Sequence, residues 1–211
     1  MRGPRPEVTG VVLAAGPGRR MGLPTPKLLL PLDGKPMLAW VLDMVEGLPL
    51  AARLLVVGAY AQEIIRALFA TEFFGEEESV FLRDGKPWRV LYNRGWPEGM
   101  ASSLRWAARA VDGGMLLFLG DMPFVPKEAA QAVLAQAGDL PVAPAYQGQR
   151  GFPVFLPAPL RPQLLGLRGD VGARDLLREC VLLPWDGPGV VWDLDRPEDL
   201  EGRDPCAPSR W

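Results

Sequence analysis

Residues 8–27 read VTGVVLAAGPGRRMGLPTPK, an apolar β-branched run that passes directly into a loop rich in glycine and proline. The run over 8–13 predicts a buried strand, because it is short, apolar and bounded by turn residues. Gly16, Gly18 and Gly22 have no Cβ atom, so a polyanion can approach the backbone N–H groups closely. The stretch therefore predicts a strand followed by an open anion-binding loop.

The same loop carries three basic side chains, Arg19, Arg20 and Lys27. Fixed positive charge of this kind stabilises a triphosphate whose pyrophosphate is leaving. The alternative interpretation is a surface loop of glycine and proline that carries arginines by chance. Short glycine motifs are weakly specific, so the loop alone leaves both interpretations open.

Two common phosphate-binding loops do not fit the spacing of the glycines. A Walker loop requires Gly-Lys-Ser/Thr where the chain has Met21-Gly22-Leu23. A dinucleotide fingerprint places its third glycine one position before Gly22 and opens a helix at once. Pro24 and Pro26 disfavour an immediate helix. A long loop over a nucleotide remains the best prediction.

Composition limits the classes of function. The 211 residues include no histidine, which excludes Ser-His-Asp hydrolysis and histidine-ligated zinc. Their net charge of -2 disfavours a nucleic acid partner. Cys180 and Cys206 form no disulfide framework, so a reducing cytoplasm is predicted. The sequence shows no signal core and no apolar run long enough to span a membrane.

The apolar pattern predicts a single Rossmann-like α/β/α domain over 1–211, with a mostly parallel mixed sheet, a core at about 7–200 and a loose tail at 201–211. Strands and helices alternate after the first loop, and 71–86 receives no element. Helices are predicted over ten residues after Pro36 and over 61–70, 101–111, 126–137 and part of 167–177. Strands are predicted over 53–57, 88–92, 115–119, 140–143, 181–183 and 190–192, with a hairpin within 145–156.

Asp121 is predicted to lie at the same edge of the sheet as the first loop. Asp121 follows the predicted strand 115–119 in the sequence Gly-Asp-Met-Pro, and ligands of open parallel sheets lie beyond the carboxyl ends of the strands. A carboxylate there can hold a divalent ion on phosphate oxygens. Asp193 and Asp195 follow the last predicted strand. In a strand conformation their side chains would point to the same face, because they are two positions apart. Taken alone, Asp121 is also compatible with a simple Asp turn before a proline.

Five motifs in order resemble the nucleotidyltransferases that make molybdenum-cofactor dinucleotides, and within them the cytidylyltransferase branch. They are Leu-Ala-Ala-Gly to Arg-Met-Gly and Lys over 13–27, Asn to Gly-Met and Ser over 93–103, Gly-Asp-x-Pro over 120–123, Gly-Asp-x-Gly-Ala-Arg over 169–174, and Asp-x-Asp-x-Pro-Glu-Asp-Leu over 193–200. The chain departs from the family at Phe152, where a histidine is usual, and at Arg196, where a threonine is usual.

The resemblance implies three groups of site residues. Arg20 and Lys27 would be catalytic, and Asp121 and Asp195 would bind Mg²⁺ or Mn²⁺. The serines at the start of helix 101–111 are equally well explained as helix caps. The implied nucleotide-binding residues are Leu13, Ala14, Ala15, Gly16, Gly18, Arg19, Gly99, Met100 and Ser103.

The reaction implied by the resemblance is transfer of a cytidylyl group from CTP to the phosphate of molybdopterin, with release of pyrophosphate. The preference for CTP rests on Ala15, where guanylyl-transferring relatives tend to have glycine. The alternatives are guanylyl or other nucleotidyl transfer to molybdopterin or to a sugar or polyol phosphate, and a non-catalytic accessory protein. The implied partners are a nucleoside triphosphate and a phosphorylated small acceptor. Neither a nucleic acid nor a membrane is expected as a partner, and a transient contact with a molybdoenzyme is left open.

Overall fold

The computed structural model describes residues 7–18, 25–169, 175–195 and 199. Its helices are α1 Met37–Glu46, α2 Ala61–Phe69, α3 Met100–Ala110, α4 Lys127–Ala135 and α5 Arg161–Leu165. Its strands are β1 Val8–Ala14, β2 Pro31–Leu32, β3 Lys35–Pro36, β4 Ala52–Val57, β5 Glu78–Arg83, β6 Lys86–Tyr92, β7 Gly114–Leu119, β8 Val142–Tyr146, β9 Gln149–Arg150, β10 Val154–Leu156 and β11 Val181–Pro184.

Nine of the strands that the structure describes form one sheet, in the order β11-β8-β10-β7-β1-β4-β6-β5, with β9 paired to β8. β1 lies at the centre and is parallel to both β4 and β7. β5 pairs antiparallel with β6, β9 with β8, and β10 with both β7 and β8. β6 pairs parallel with β4, and β11 pairs parallel with β8. The predicted single α/β domain with a mostly parallel mixed sheet is confirmed.

Helices cover both faces of the sheet. Val12 of β1 packs in a core with residues of α1, α2 and α4, and Val11 packs in a second core with residues of α3 and α5. Both side chains are fully buried, because successive side chains of a strand point to opposite faces. A central parallel strand covered on both sides needs an unbroken apolar sequence, which explains the run that identified β1.

β5 lies within 71–86, where the sequence pattern predicted no element. The strand alternates exposed and half-buried residues, and Asp84-Gly85 forms its turn to β6 with φ of +49° and +75°. An Asp-Gly pair between strand-forming residues is a strong hairpin signal. The weak hydrophobicity of the segment follows from its position at the edge of the sheet, where Val80 and Leu82 stay exposed.

The strand predicted at 190–192 is wrong. Pro188–Val190 is a single 3-10 turn, and 192–195 has no regular secondary structure. A Cβ atom at Gly189 would lie 2.2 Å from the backbone oxygen of Phe124, so the backbone at Gly189 is in close contact with the backbone at Phe124. The predicted helix within 167–177 is described only as the 3-10 turn Asp175–Leu177, and 170–174 lies outside the described residues.

None of the helices described is both long and apolar enough to cross a membrane. The cytoplasmic location stays a prediction.

Candidate functional site

The carboxyl ends of the central strands meet at one edge of the sheet. Beyond β7, the N–H of Gly120 donates to the carbonyl of Leu13 at the end of β1, at 2.9 Å. Beyond β4, the N–H of Ala59 donates to the carbonyl of Ala15, at 3.0 Å. Because these strands are parallel, the loops that follow them collect on the same side.

An open cleft of about 970 Å³ lies at this edge. It contains every predicted site residue that the structure describes, whereas Arg19 and Arg20 lie outside the described residues. Proximity agrees with the predicted grouping, and the individual roles stay predictions. The predicted residues that line the cleft are Leu13, Ala14, Ala15, Gly16, Gly18, Lys27, Gly99, Met100, Ser103, Asp121 and Asp195.

Lys27 lies between the two predicted metal ligands. Its Nζ donates to Oδ2 of Asp121 at 2.7 Å and to Oδ1 of Asp195 at 2.5 Å. The lysine side chain is 5% exposed, and the two carboxylates are 26% and 27% exposed. The N–H of Leu194 donates to the carbonyl of Asp121 at 3.1 Å, which fixes the segment that carries Asp195 beside the end of β7.

The electrostatics favour a permanent cation at this point. Burial lowers the pKa of Lys27, but the charges and hydrogen bonds of Asp121 and Asp195 outweigh it and raise the pKa above its usual value. Partial burial, reinforced by the charges of Asp195 and Asp121, raises the pKa of Asp193. Two carboxylates therefore flank one ammonium group at this point, and the carboxyl group of Asp193 lies near enough for its pKa to respond to all three charges.

Gly16 and Gly18 serve the loop differently. Gly18 has φ of +57°, and a Cβ atom there would lie 2.6 Å from Cβ of Lys27, so glycine is needed for both backbone and packing. A Cβ atom at Gly16 would meet nothing within 4 Å. The fold by itself therefore does not require a glycine at position 16.

We expect Gly16→Ala to leave the free energy of unfolding within about 0.5 kcal/mol of wild type. The added methyl group should nevertheless weaken nucleoside triphosphate binding by about tenfold, by obstructing close approach to the loop. Urea unfolding and calorimetric titration measure the two quantities. Gly187→Ala is the matched control, since a Cβ atom there also meets nothing within 4 Å and Gly187 does not line the cleft. Unchanged affinity in Gly16→Ala would remove the assigned role.

An apolar wall of the cleft was not found from the sequence. Its members lie in the segments that follow β4 and β6, and their place after predicted strands was a signal that the sequence offered. A Cβ atom at Gly58 would lie 2.5 Å from the oxygen of Ala15 and 2.8 Å from Cβ of Trp96, so this glycine lets the two loops pack together. The wall residues are Tyr60, Ile64, Trp96 and Pro97.

The serines at the start of α3 do not cap the helix. Gly99 is the N-cap residue, and no side chain makes a capping hydrogen bond. Instead, Ser102 Oγ donates to Oδ1 of Asn93 at 3.0 Å, and Nδ2 of Asn93 donates to Ser103 Oγ at 3.1 Å. Asn93 is completely buried. The capping interpretation is therefore wrong, and Asn93 joins the site as a residue that binds both serines.

Sequence comparisons match most of the chain. A family model described as a MobA-like NTP transferase domain matches residues 10–183. Nicotine blue oxidoreductase of Paenarthrobacter nicotinovorans is 33% identical, over 94% of this chain and 92% of that protein. Purine catabolism protein PucB of Bacillus subtilis is 28% identical, over 93% and 95%. The chain spans about a quarter of the length of the bifunctional GlmU proteins that it also matches, 26% for that of Sphingopyxis alaskensis.

Solved structures share the same architecture. Rv0371c of Mycobacterium tuberculosis H37Rv is 27% identical with a TM-score of 0.74, covering 94% of this chain and 97% of that chain. A structure of Rv0371c in complex with manganese is 25% identical with a TM-score of 0.70, covering 92% and 96%.

Proposed function

The chain belongs to the family of MobA-like NTP transferase domains, and we propose that within it the protein transfers a cytidylyl group from CTP to the terminal phosphate of molybdopterin. The nucleotidyltransferase assignment follows from the family. The choice of CTP and of molybdopterin is supported by the Leu-Ala-Ala-Gly motif over 13–16 and by the other four motifs that resemble the cytidylyltransferase branch.

One observation carries the proposal: the Lys27 ammonium group bridges Asp121 and Asp195 inside the cleft at the carboxyl edge of the sheet. A buried cation beside paired carboxylates matches the needs of phosphate transfer, in which negative charge must be neutralised on both sides of the reacting phosphorus.

The proposed step is an in-line displacement. An oxygen of the acceptor phosphate forms a bond to the α-phosphorus of CTP, the bond to the β-phosphate oxygen breaks, and pyrophosphate leaves with that electron pair. Lys27 stabilises the charge that grows on the leaving phosphates, and Arg20 is proposed to assist it. No general base is needed, since the phosphate nucleophile is already ionised at neutral pH.

Asp121 and Asp195 would hold a divalent cation, Mg²⁺ or Mn²⁺. Their carboxylate oxygens are ligands that these ions prefer, and both oxygens lie within hydrogen-bond distance of one Lys27 nitrogen. The manganese complex of Rv0371c supports a divalent ion in a related protein. Among the described residues no group of three or more His, Cys, Asp or Glu could hold a metal ion. The bound ion would neutralise charge on the triphosphate.

The proposed preference for CTP rests on Ala15. This residue lines the cleft and is 4% exposed, and its oxygen and Cβ atom are packed against Gly58. A methyl group fixed in this way reduces the space beside the base and favours a pyrimidine over the larger purine.

The decisive experiment measures pyrophosphate release with each of the four nucleoside triphosphates, with Mg²⁺ or Mn²⁺, and with or without molybdenum cofactor as acceptor. We expect release with CTP that depends on both the acceptor and the divalent ion. Release with GTP alone would show that GTP is the donor in place of CTP. Release only with a sugar or polyol phosphate would show that molybdopterin is not the acceptor. No release under any condition would favour a non-catalytic role or the redox chemistry named for the Paenarthrobacter relative.

A further inference from the structure

We propose that Asn93 is a positioning residue that turns the hydroxyl proton of Ser103 toward the bound nucleotide, so that this serine recognises a hydrogen-bond acceptor. The inference rests on the proposed function, because it requires a nucleotide in the cleft.

Asn93 is held in place from two directions. Its backbone N–H donates to the carbonyl of Val57 at the end of β4, at 2.9 Å, and its carbonyl accepts from the N–H of Trp96, at 3.2 Å. Its side chain is completely buried. The amide therefore cannot rotate into solvent, and its two hydrogen bonds to α3 have a fixed geometry.

The side-chain amide of Asn93 is a hydrogen-bond acceptor for one serine and a donor to the other. Its Oδ1 accepts the proton of Ser102, whereas its Nδ2 donates to Ser103 Oγ. A hydroxyl group has one proton to donate, and accepting from Asn93 leaves that proton of Ser103 available. No acceptor for it is found among the described residues.

The two serines also differ in what they face. Ser103 lines the cleft and Ser102 does not, although both belong to the first turn of α3 and both are at least 95% buried. An unused proton on a buried hydroxyl that faces a cleft is expected to find an acceptor in the ligand, since an unpaired buried polar group is costly.

The group recognised is therefore an oxygen or nitrogen acceptor of the nucleotide. The carbonyl oxygen and ring nitrogen of a pyrimidine have this chemistry, and so do ribose and phosphate oxygens. Trp96 and Met100 line the cleft beside Ser103, and their apolar surface favours a contact with the base or the sugar.

Replacement of Asn93 by aspartate tests the polarity directly. An ionised carboxylate of the same shape accepts only, so both serines would donate to it and Ser103 would offer lone pairs to the cleft. The affinity for the nucleotide should then fall as far as in Ser103→Ala. The double variant Asn93→Asp/Ser103→Ala should lose no more nucleotide affinity than either single variant.

The experiment is calorimetric titration at pH 8 with the tightest-binding nucleoside triphosphate, with CMP and with inorganic tripolyphosphate. We expect Ser103→Ala and Asn93→Asp to weaken triphosphate and CMP binding by about tenfold each, the size of one hydrogen bond, and Ser103→Ala, which changes no charge, to leave tripolyphosphate binding unchanged. Weakened tripolyphosphate binding in Ser103→Ala would instead identify a phosphate oxygen as the acceptor.

Ser102→Ala is the matched control, because it removes the other hydroxyl bonded to Asn93. Urea unfolding should show a similar loss of stability for Ser102→Ala and Ser103→Ala, with affinity lost only in the second. Equal affinity losses, or additive losses in the double variant, would overturn the inference while nucleotide binding stands. If Asn93→Asp does not fold, the two serine variants decide alone. Absence of binding by all four triphosphates would overturn the proposed function and this inference with it.

Discussion

Asp121→Asn is expected to reduce the rate of pyrophosphate release by a hundredfold or more, with a loss of stability of only about 1 kcal/mol. The amide keeps the shape of the carboxylate and an oxygen that can still accept from Lys27, and Asp195 still pairs with the ammonium group. The reaction loses the negative charge that would hold a divalent ion on the phosphates. Activity should therefore fall far more than folding.

Steady-state pyrophosphate release across a range of Mn²⁺ concentrations, together with urea unfolding, measures both effects. Asp139→Asn is the matched control, since Asp139 is exposed and does not line the cleft; it should behave as wild type. If Asp121→Asn retained near wild-type turnover at low Mn²⁺ concentration, the metal-binding role of Asp121 would be wrong.

Lys27→Met is expected to lower turnover by about a hundredfold to a thousandfold, the size of effect seen when one charge-stabilising group is removed from an active site. Methionine keeps the length and most of the volume of the lysine stem, so packing against Gly18 should survive. Unlike Asp121→Asn, this variant should also lose about 2–3 kcal/mol of stability, because it leaves two carboxylates facing each other. Their partial exposure keeps the loss below that of a fully buried pair.

The measurements are turnover with saturating CTP and acceptor, and urea unfolding of the free protein. Lys127→Met controls for the removal of a positive charge, since Lys127 is exposed on α4 and outside the cleft. Unchanged turnover in Lys27→Met would exclude Lys27 from the reaction, and unchanged stability would show that the ammonium bridge contributes little to the fold.

Local sequence determined much of the fold correctly. The helix predicted after Pro36 is α1 with ten residues, and the strand predicted at 115–119 is β7, because long apolar segments with clear turn signals are buried in any compact fold. The same reasoning missed β5, whose edge position leaves little apolar signal, and it predicted a strand at 190–192 where backbone packing against Phe124 produces a turn.

The sequence by itself determined the chemistry available to this protein: a glycine-rich cationic loop after the first strand, two separated aspartates, and no histidine. Only the tertiary structure decided that Lys27 bridges Asp121 and Asp195, partners 94 and 168 residues away along the chain. It also decided that the α3 serines bind Asn93 and do not cap their helix. The physical reason is that residue type and local spacing establish which hydrogen bonds and charges exist, whereas the pairing of buried groups depends on which strand ends meet at one edge of the sheet.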